Sequence, residues 1–319
     1  MRHLASLIAL ALILLVAPLH AAETLGDAKR VLFLGDSITY GGNYVDAVET
    51  ALRLKYPDRK IEYINCGLPS ETVSGLSEAG HAGGKFPRPD LHERLDRVLA
   101  KTKPDLIFAC YGMNDGIYMP LAPDRLAAFQ NGMKKLREKA AAIGARVVHV
   151  TPPVFDPMPI AGKVVPKDQA TEGKMYAGYD EVLAAYGDWL LSQRSAGWEV
   201  IDLHGPMTKA IADGRTKDPK FKFSGDGIHP NADGHLVMAK AILAGLTPPV
   251  EIDTKTYGDP GDPKSKFSQV EKLVRERGRI LLDAYLTDAG HKRPMKAGLP
   301  MPEALAKAAE IEKKIQAAK

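Results

Sequence analysis

Three residues have the side chains that acyl transfer by a serine enzyme needs. Ser37 follows a short apolar run at 30–34, and Asp226 and His229 lie three positions apart with a glycine between them. A serine hydroxyl becomes nucleophilic when a histidine accepts its proton and an acidic residue orients that histidine. In a tight turn, this spacing lets the Asp226 carboxylate reach Nδ1 of His229 while Nε2 faces outward. The sequence therefore contains the groups that acyl transfer requires.

The elements that must position these groups are predicted to form a parallel sheet. Short apolar runs alternate with helical stretches, which is typical of strands buried on both faces. The predicted strands are 30–34, 61–64, 106–110, 146–150 and 198–203, and the predicted helices include 43–55, 91–100, 123–143 and one that starts near residue 179. We therefore expect a doubly wound, flavodoxin-like, three-layer α/β domain over residues 27–246.

Further polar and glycine residues stand where these predicted strands end, which is where open α/β sheets bind their ligands. Gly67 follows the second strand, and Gly112 and Asn114 follow the third. These residues and Ser37 also have structural alternatives. Ser37 and Asn114 could be helix caps, and Gly67 and Gly112 could serve tight turns. Asp115 is expected to be structural and to fix its loop through local hydrogen bonds.

Four motifs carry a family resemblance. They resemble the sequence blocks of the SGNH (GDSL-type) esterase superfamily, in the family's order and on the elements where the family has them. The resemblance spans residues 29–246, and its motifs are the segments 35–39, 65–67, 112–115 and 226–230. The chain departs from the family pattern after Gly67, where Pro69 stands in a stretch that often holds a further glycine.

The resemblance implies a role for each of five residues. Ser37 would be the nucleophile, His229 the general base and Asp226 the residue that orients the base. The backbone N–H groups of Ser37 and Gly67 and the side-chain amide of Asn114 would form the oxyanion hole, where losing one donor typically costs about 10²–10³ in rate. The resemblance implies no metal and no organic cofactor.

The remaining candidate groups are assigned to structure. His235 follows an aspartate but lies inside a predicted helix, so we expect it to pack rather than to catalyse. Cys66 and Cys110 end the second and third predicted strands, and the order 2-1-3-4-5 would separate them by about two strand spacings, ~9.6 Å. A disulfide needs Cα atoms within ~7 Å, so we predict two free thiols.

Three segments lie outside the strand and helix pattern. Residues 1–22 have the basic, apolar and small-residue order of a secretory signal peptide, which predicts a secreted or periplasmic protein. A membrane anchor is the alternative, but the apolar run at 4–16 is shorter than the roughly 20 residues that a span needs. The proline-rich stretch 151–178 is expected to be a functional loop, in which Phe155 could line a pocket with Met158 and Tyr176. Residues 247–319 are predicted to be a linker and a helical C-terminal extension.

Composition limits the classes of function. A chain with 45% hydrophobic and 26% charged residues is a globular protein, and a net charge of +4 without charged runs does not predict a nucleic-acid partner. We predict a secreted serine esterase for short acyl groups, most simply acetyl esters of a carbohydrate, without stable membrane insertion after signal cleavage. The alternatives are a lysophospholipase or general lipid esterase, and a non-catalytic carbohydrate-binding relative.

Overall fold

Five short strands form one parallel sheet in the computed structural model, which describes residues 23–319. The predicted signal peptide lies outside the described residues. The strands are β1 (Arg30–Gly35), β2 (Glu62–Asn65), β3 (Leu106–Cys110), β4 (Arg146–Val150) and β5 (Glu199–Ile201). Their spatial order is β2-β1-β3-β4-β5. The predicted doubly wound fold with strand order 2-1-3-4-5 is therefore confirmed.

Both faces of the sheet are buried, as the apolar runs predict. Every residue of β3 is buried, and residues 31–34 of β1 are 0% exposed. Neighbouring residues of a strand point to opposite faces, so helices must cover the sheet on both sides. The register places Phe33 of β1 beside Asn65 of β2 and Phe108 of β3. The carboxyl ends of these three strands therefore meet at one edge, next to Ser37.

Ten helices accompany the strands in the described part of the chain. They are α1 (Ser37–Gly41), α2 (Asn43–Lys55), α3 (Leu91–Thr102), α4 (Pro123–Ala142), α5 (Tyr179–Ser192), α6 (His204–Lys217), α7 (Ala232–Ala244), α8 (Thr254–Tyr257), α9 (Lys266–Ala289) and α10 (Met301–Ala318). Side chains next to the helix N-termini fix where several of these helices begin. The Asp90 carboxylate accepts the N–H of His92 before α3, and the Asn231 side chain accepts the N–H of Gly234 in α7.

The stretch 151–178 has short elements of its own. It contains 3₁₀ turns at Met158–Lys163 and Lys167–Gln169, and a two-stranded ribbon pairs residues 164–165 with 175–176. Phe155 is 1% exposed and packs edge-on against the Tyr179 ring, with 5.6 Å between ring centroids. Phe155 thus belongs to the core and does not line a pocket, contrary to the prediction.

The C-terminal helices pack beside β2. Helix α9 contacts α2, α3 and β2, and α10 packs along α9. Val274 of α9 and Ile315 of α10 are 0% exposed and belong to the same hydrophobic core as the sheet. Partly buried ion pairs join the same elements, because Glu312 of α10 contacts both Arg53 of α2 and Arg277 of α9. The C-terminal helices therefore complete the core on the β2 side of the sheet.

Two smaller findings bear on earlier expectations. Cys66 and Cys110 are both buried and free, which confirms the prediction of two free thiols. Between residues 23 and 319, the structure has no helix that is both long enough and apolar enough to cross a membrane.

Candidate active site

Ser37 stands at the turn between β1 and α1. A Cβ atom at Gly35 would lie 2.7 Å from the carbonyl oxygen of Cys110, so only glycine lets the turn pass this close to β3. Asp36 caps α1, because its Oδ1 accepts the N–H of Ile38 at 2.9 Å. Burial raises the pKa of Asp36 to about 7. The capped turn fixes where the Ser37 side chain leaves the backbone.

A second turn, 224–230, carries the predicted acid and base. Gly227 has a φ of +77°, and a Cβ atom there would lie 2.5 Å from the carbonyl oxygen of Asp156. Glycine is therefore required both by the backbone conformation and by the close contact. The N–H of Asp156 also donates to the Gly227 carbonyl at 2.9 Å. These contacts anchor the turn that holds Asp226 and His229.

The structure brings the three predicted residues into one hydrogen-bonded chain. The Ser37 Oγ lies 2.8 Å from Nε2 of His229, and Nδ1 of His229 lies 2.7 Å from Oδ2 of Asp226. A carboxylate accepts hydrogen bonds, so the proton of the neutral imidazole resides on Nδ1. Nε2 is then the acceptor for the Ser37 hydroxyl. This is the arrangement that serine activation requires.

Asp226 is held as an anion by several donors. Its Oδ1 accepts the Ser224 hydroxyl at 2.8 Å and the N–H groups of Ile228 and His229 at 3.0 and 2.8 Å. Burial alone would raise the pKa of Asp226, but these bonds and the one from the His229 ring hold that pKa well below its usual range. The side chains of Asp226 and His229 are 55% and 49% exposed, so the pair is open to a large substrate.

The predicted oxyanion donors differ in what they already bind. The Ser37 N–H is the first of α1, and the first N–H groups of a helix have no partner within it. Asn114 is 4% exposed, and its Nδ2 donates to the Glu71 carbonyl at 3.2 Å, which leaves the second hydrogen of Nδ2 for another acceptor. The Gly67 N–H donates to Oδ1 of Asn65 at 2.8 Å. Gly67 can therefore serve an oxyanion only by sharing this N–H.

Close packing explains the glycine at position 67. A Cβ atom there would lie 2.7 Å from the backbone carbonyl carbon of Thr39 in α1. Asn65 ties the same loop to that helix, because its Nδ2 donates to the Thr39 carbonyl at 2.7 Å. Gly67 is thereby held against the helix that begins at Ser37. The role of Asn65 was not predicted, although its position in the second motif was noted.

The loop after β3 is fixed differently from the prediction. Oδ1 of Asp115 accepts the backbone N–H groups of Val73 and Ser74, each at 2.8 Å. Asp115 is therefore structural, as expected, but it joins two distant loops and does not act through local bonds only. Gly112 has a φ of +131°, a backbone conformation that residues other than glycine rarely adopt.

Of two other side chains near the site, one was predicted correctly and one was missed. His235 packs in α7 against the Tyr44 ring as expected, and burial lowers the pKa of His235 to about 4, so it is neutral near pH 7. Arg88 was not identified as a site residue, yet its Nη1 donates to Oδ1 of Asn114 at 2.8 Å. Arg88 lies between two prolines in an irregular segment, and no spacing in the sequence relates it to Asn114.

Comparison with known proteins identifies the family of the chain. The model of the GDSL-like lipase/acylhydrolase family matches residues 33–237. An acetylxylan esterase from Xylanibacter ruminicola is 25% identical over 244 residues, which cover 69% of this chain and 43% of the relative. This chain thus spans less than half the length of that relative.

Solved structures show the same fold. A gut microbial diltiazem-metabolizing enzyme superposes with a TM-score of 0.51 at 24% identity and covers 72% of this chain and 48% of its own. Axe2, an acetylxylan esterase from Geobacillus stearothermophilus, has a TM-score of 0.50 at 18% identity and covers 70% of this chain and 95% of its own. Because the family match covers more than half of the chain and includes both turns of the site, the chain belongs to the GDSL-like lipase/acylhydrolase family.

Proposed function

We propose that this protein is a serine carboxylic ester hydrolase that acts on short acyl esters, with acetylated carbohydrate as its substrate. The observation that carries the proposal is the hydrogen-bonded chain from the Ser37 Oγ through His229 to Asp226, with distances of 2.8 and 2.7 Å. Membership of an acylhydrolase family supports the same chemistry. In this mechanism, Ser37 is the nucleophile, His229 the base and Asp226 the residue that orients it.

The proposed reaction has two steps. In the first, Ser37 Oγ attacks the ester carbonyl carbon while Nε2 of His229 takes the hydroxyl proton. His229 then gives this proton to the departing alcohol, and the acyl group remains on Ser37. In the second step, His229 takes a proton from water, which attacks the acyl carbon. The bond from that carbon to Ser37 Oγ then breaks, His229 returns the proton to Oγ, and the carboxylic acid leaves. Asp226 keeps the Nδ1 proton in place throughout.

The negative charge of each tetrahedral intermediate needs preorganised donors. We assign this role to the backbone N–H of Ser37 and to Nδ2 of Asn114. The Gly67 N–H is the third donor in this proposal and would share its proton between Asn65 and the intermediate. Replacing Asn114 with alanine removes one donor, so we expect kcat to fall by about 10²–10³.

The choice of an acetylated carbohydrate has two supports. The acetylxylan esterase of Xylanibacter ruminicola is a relative over 69% of this chain. His229 and Asp226 lie in an exposed turn, which suits an ester group carried on a bulky polymer. The signal-like pattern of residues 1–22 leads us to propose that the protein is exported, where such polymers occur.

A panel of p-nitrophenyl esters from acetate to palmitate, run beside acetylated and deacetylated xylan, tests this function. We expect kcat/KM to be highest for acetate and to decrease with chain length, and we expect acetate to be released from acetylated xylan. A preference for palmitate would favour the lipid esterase alternative. Absence of hydrolysis of every ester would contradict the proposed activity and favour a non-catalytic carbohydrate-binding protein.

Asp226 should stay ionised over the pH range in which activity is assayed. The pKa of Asp226 lies well below its usual range because of its hydrogen bonds, so Asp226 keeps its charge as the pH falls from 8 to about 5. Loss of activity on acidification over this range should therefore not come from protonation of Asp226. Asp226→Asn should lower kcat at every pH between 5 and 8, because an amide holds the imidazole less well in the required tautomer. Wild-type kcat in Asp226→Asn would contradict the pairing.

A further inference from the structure

We infer that Arg88 is a positioning residue, which fixes the amide of Asn114 so that Nδ2 faces the developing oxyanion. The inference rests on the proposed function, since it assigns Asn114 to the oxyanion hole. Nη1 of Arg88 donates to Oδ1 of Asn114 at 2.8 Å. The hydroxyl of Tyr118 donates to the same oxygen at 3.2 Å. Two donors thus converge on the one end of the amide that must point away from the substrate.

These donors decide which way the amide is turned. A guanidinium group has only N–H donors and cannot accept a hydrogen bond. If the Asn114 amide rotated by 180°, its NH₂ group would face the N–H of Arg88 and its oxygen would face the Glu71 carbonyl, so buried polar groups would lose their partners on both sides. Nδ2 is therefore held on the side of the Glu71 carbonyl and the site. An asparagine without Arg88 could present its oxygen to the substrate, where it would repel an oxyanion.

The position of Arg88 is itself strongly determined. Its Nε and Nη2 donate to the two carboxylate oxygens of Glu78, each at 2.7 Å, and Arg88 is 8% exposed. Such a bidentate pair fixes the plane of the guanidinium as well as its place. The remaining nitrogen, Nη1, is thereby aimed at Asn114. The Arg88 guanidinium carbon also lies 5.4 Å from the centre of the Tyr118 ring, which closes the cluster.

The backbone beside Asn114 supports a functional reading of this cluster. Ile117 and Tyr118 have φ values of 46° and 56°, in the left-handed region that non-glycine residues rarely occupy. A β-branched residue is especially disfavoured there. This unusual turn lets the Tyr118 ring cover Arg88 while its hydroxyl reaches Oδ1 of Asn114. Strained backbone of this kind clusters at active sites, where the surrounding structure holds it in place.

Arg88 should also strengthen the donor that it orients. A charged group that donates to Oδ1 polarises the amide, so the hydrogens of Nδ2 become better donors. The effect is greatest when charge develops on the substrate oxygen, so it should appear in kcat and leave KM nearly unchanged. A purely structural arginine would change stability without this separation of kcat from KM.

The test is a double-mutant cycle on p-nitrophenyl acetate hydrolysis with Arg88→Met, Asn114→Ala and the double variant. We expect Arg88→Met to lower kcat about tenfold or more with KM within about twofold of wild type. In the Asn114→Ala background, Arg88→Met should lower kcat by less than about twofold, because the group that it positions is absent. Equal losses in both backgrounds, or wild-type kcat in Arg88→Met, would overturn the inference.

Two further variants complete the cycle. Arg293→Gln is the matched control, because Arg293 lies over the nearby Phe86 ring at 5.0 Å and donates to the Ser70 hydroxyl but does not bond Asn114. It should retain wild-type kcat.

If Arg88→Met does not fold, as near-ultraviolet circular dichroism would reveal, Tyr118→Phe replaces it in the cycle. That variant removes one donor to the same oxygen, and its smaller loss should also disappear in Asn114→Ala. Absence of esterase activity in the wild-type enzyme would refute the proposed function and the inference with it, whereas an active wild type with equal losses in both backgrounds would refute the inference alone.

Discussion

Ester hydrolysis should fall by about 10⁵–10⁶ in kcat when Ser37 is replaced by alanine, which is the loss that serine enzymes show without their nucleophile. The Ser37 Oγ is the atom that His229 Nε2 contacts at 2.8 Å, and alanine offers no hydroxyl there. Stability should hardly change, since the helix cap at this turn comes from Asp36 and not from Ser37. Steady-state hydrolysis of p-nitrophenyl acetate and a thermal denaturation curve measure the two effects.

Ser192→Ala is a suitable control for this variant. Ser192 is an exposed serine at the end of α5, where its hydroxyl donates to the Trp189 carbonyl at 2.7 Å. It should retain wild-type activity. Turnover by Ser37→Ala at more than a hundredth of the wild-type rate would assign the nucleophile to another residue, and mass spectrometry of the trapped acyl-enzyme would locate it.

Replacing Arg94 with methionine should destabilise the fold by about 3–5 kcal/mol, because it leaves a buried carboxylate without its partner. Arg94 and Glu71 have side chains 1% and 0% exposed, and Nε and Nη2 of Arg94 donate to the two oxygens of Glu71 at 2.6 and 2.7 Å. Nη2 also donates to the Cys66 carbonyl at 2.7 Å, next to Gly67. Urea unfolding followed by circular dichroism would measure the loss.

Two comparisons separate burial from ion pairing. Arg30→Met breaks a pair with Glu62 whose side chains are 31% and 29% exposed, and it should cost no more than about 1 kcal/mol. Adding Glu71→Gln to Arg94→Met removes the unpaired charge and should recover part of the lost stability. A free energy of unfolding for Arg94→Met within about 1 kcal/mol of the wild-type value would contradict this prediction, because it would show that leaving Glu71 without Arg94 costs little.

Regular strands were predictable because the residues that form them signal their ends. The limits of β3 and β4 agree with the prediction. The β3 run is entirely apolar and begins two residues after Pro104, and the β4 run, with three valines, begins two residues after Gly144. Helix α3 was less predictable. It continues to Thr102, two residues beyond the prediction, and ends where Lys103 has a φ of 44°. Lysine rarely adopts this left-handed conformation, so no local pattern indicates the end.

The site was predictable where its residues carry their own signal. Asp226 and His229 are three residues apart, so one turn determines their contact, and Ser37 directly follows a strand that the sequence defines well. The link between Arg88 and Asn114 depends instead on how two irregular loops fold against each other. Asp115 shows the same limit, because its bonds to Val73 and Ser74 span 42 and 41 positions and no short-range pattern predicts them.

The Ser37 hydroxyl and the His229 imidazole are 192 positions apart in the chain, and the proposed mechanism needs both. A growing chain that has left the ribosome only as far as β4 contains Ser37 and Asn114 but lacks His229. Under the proposed mechanism, such an unfinished chain has no base for the serine proton, however well its first strands have folded. Ester hydrolysis would therefore begin only after the turn 224–230 has been synthesised and placed beside Ser37.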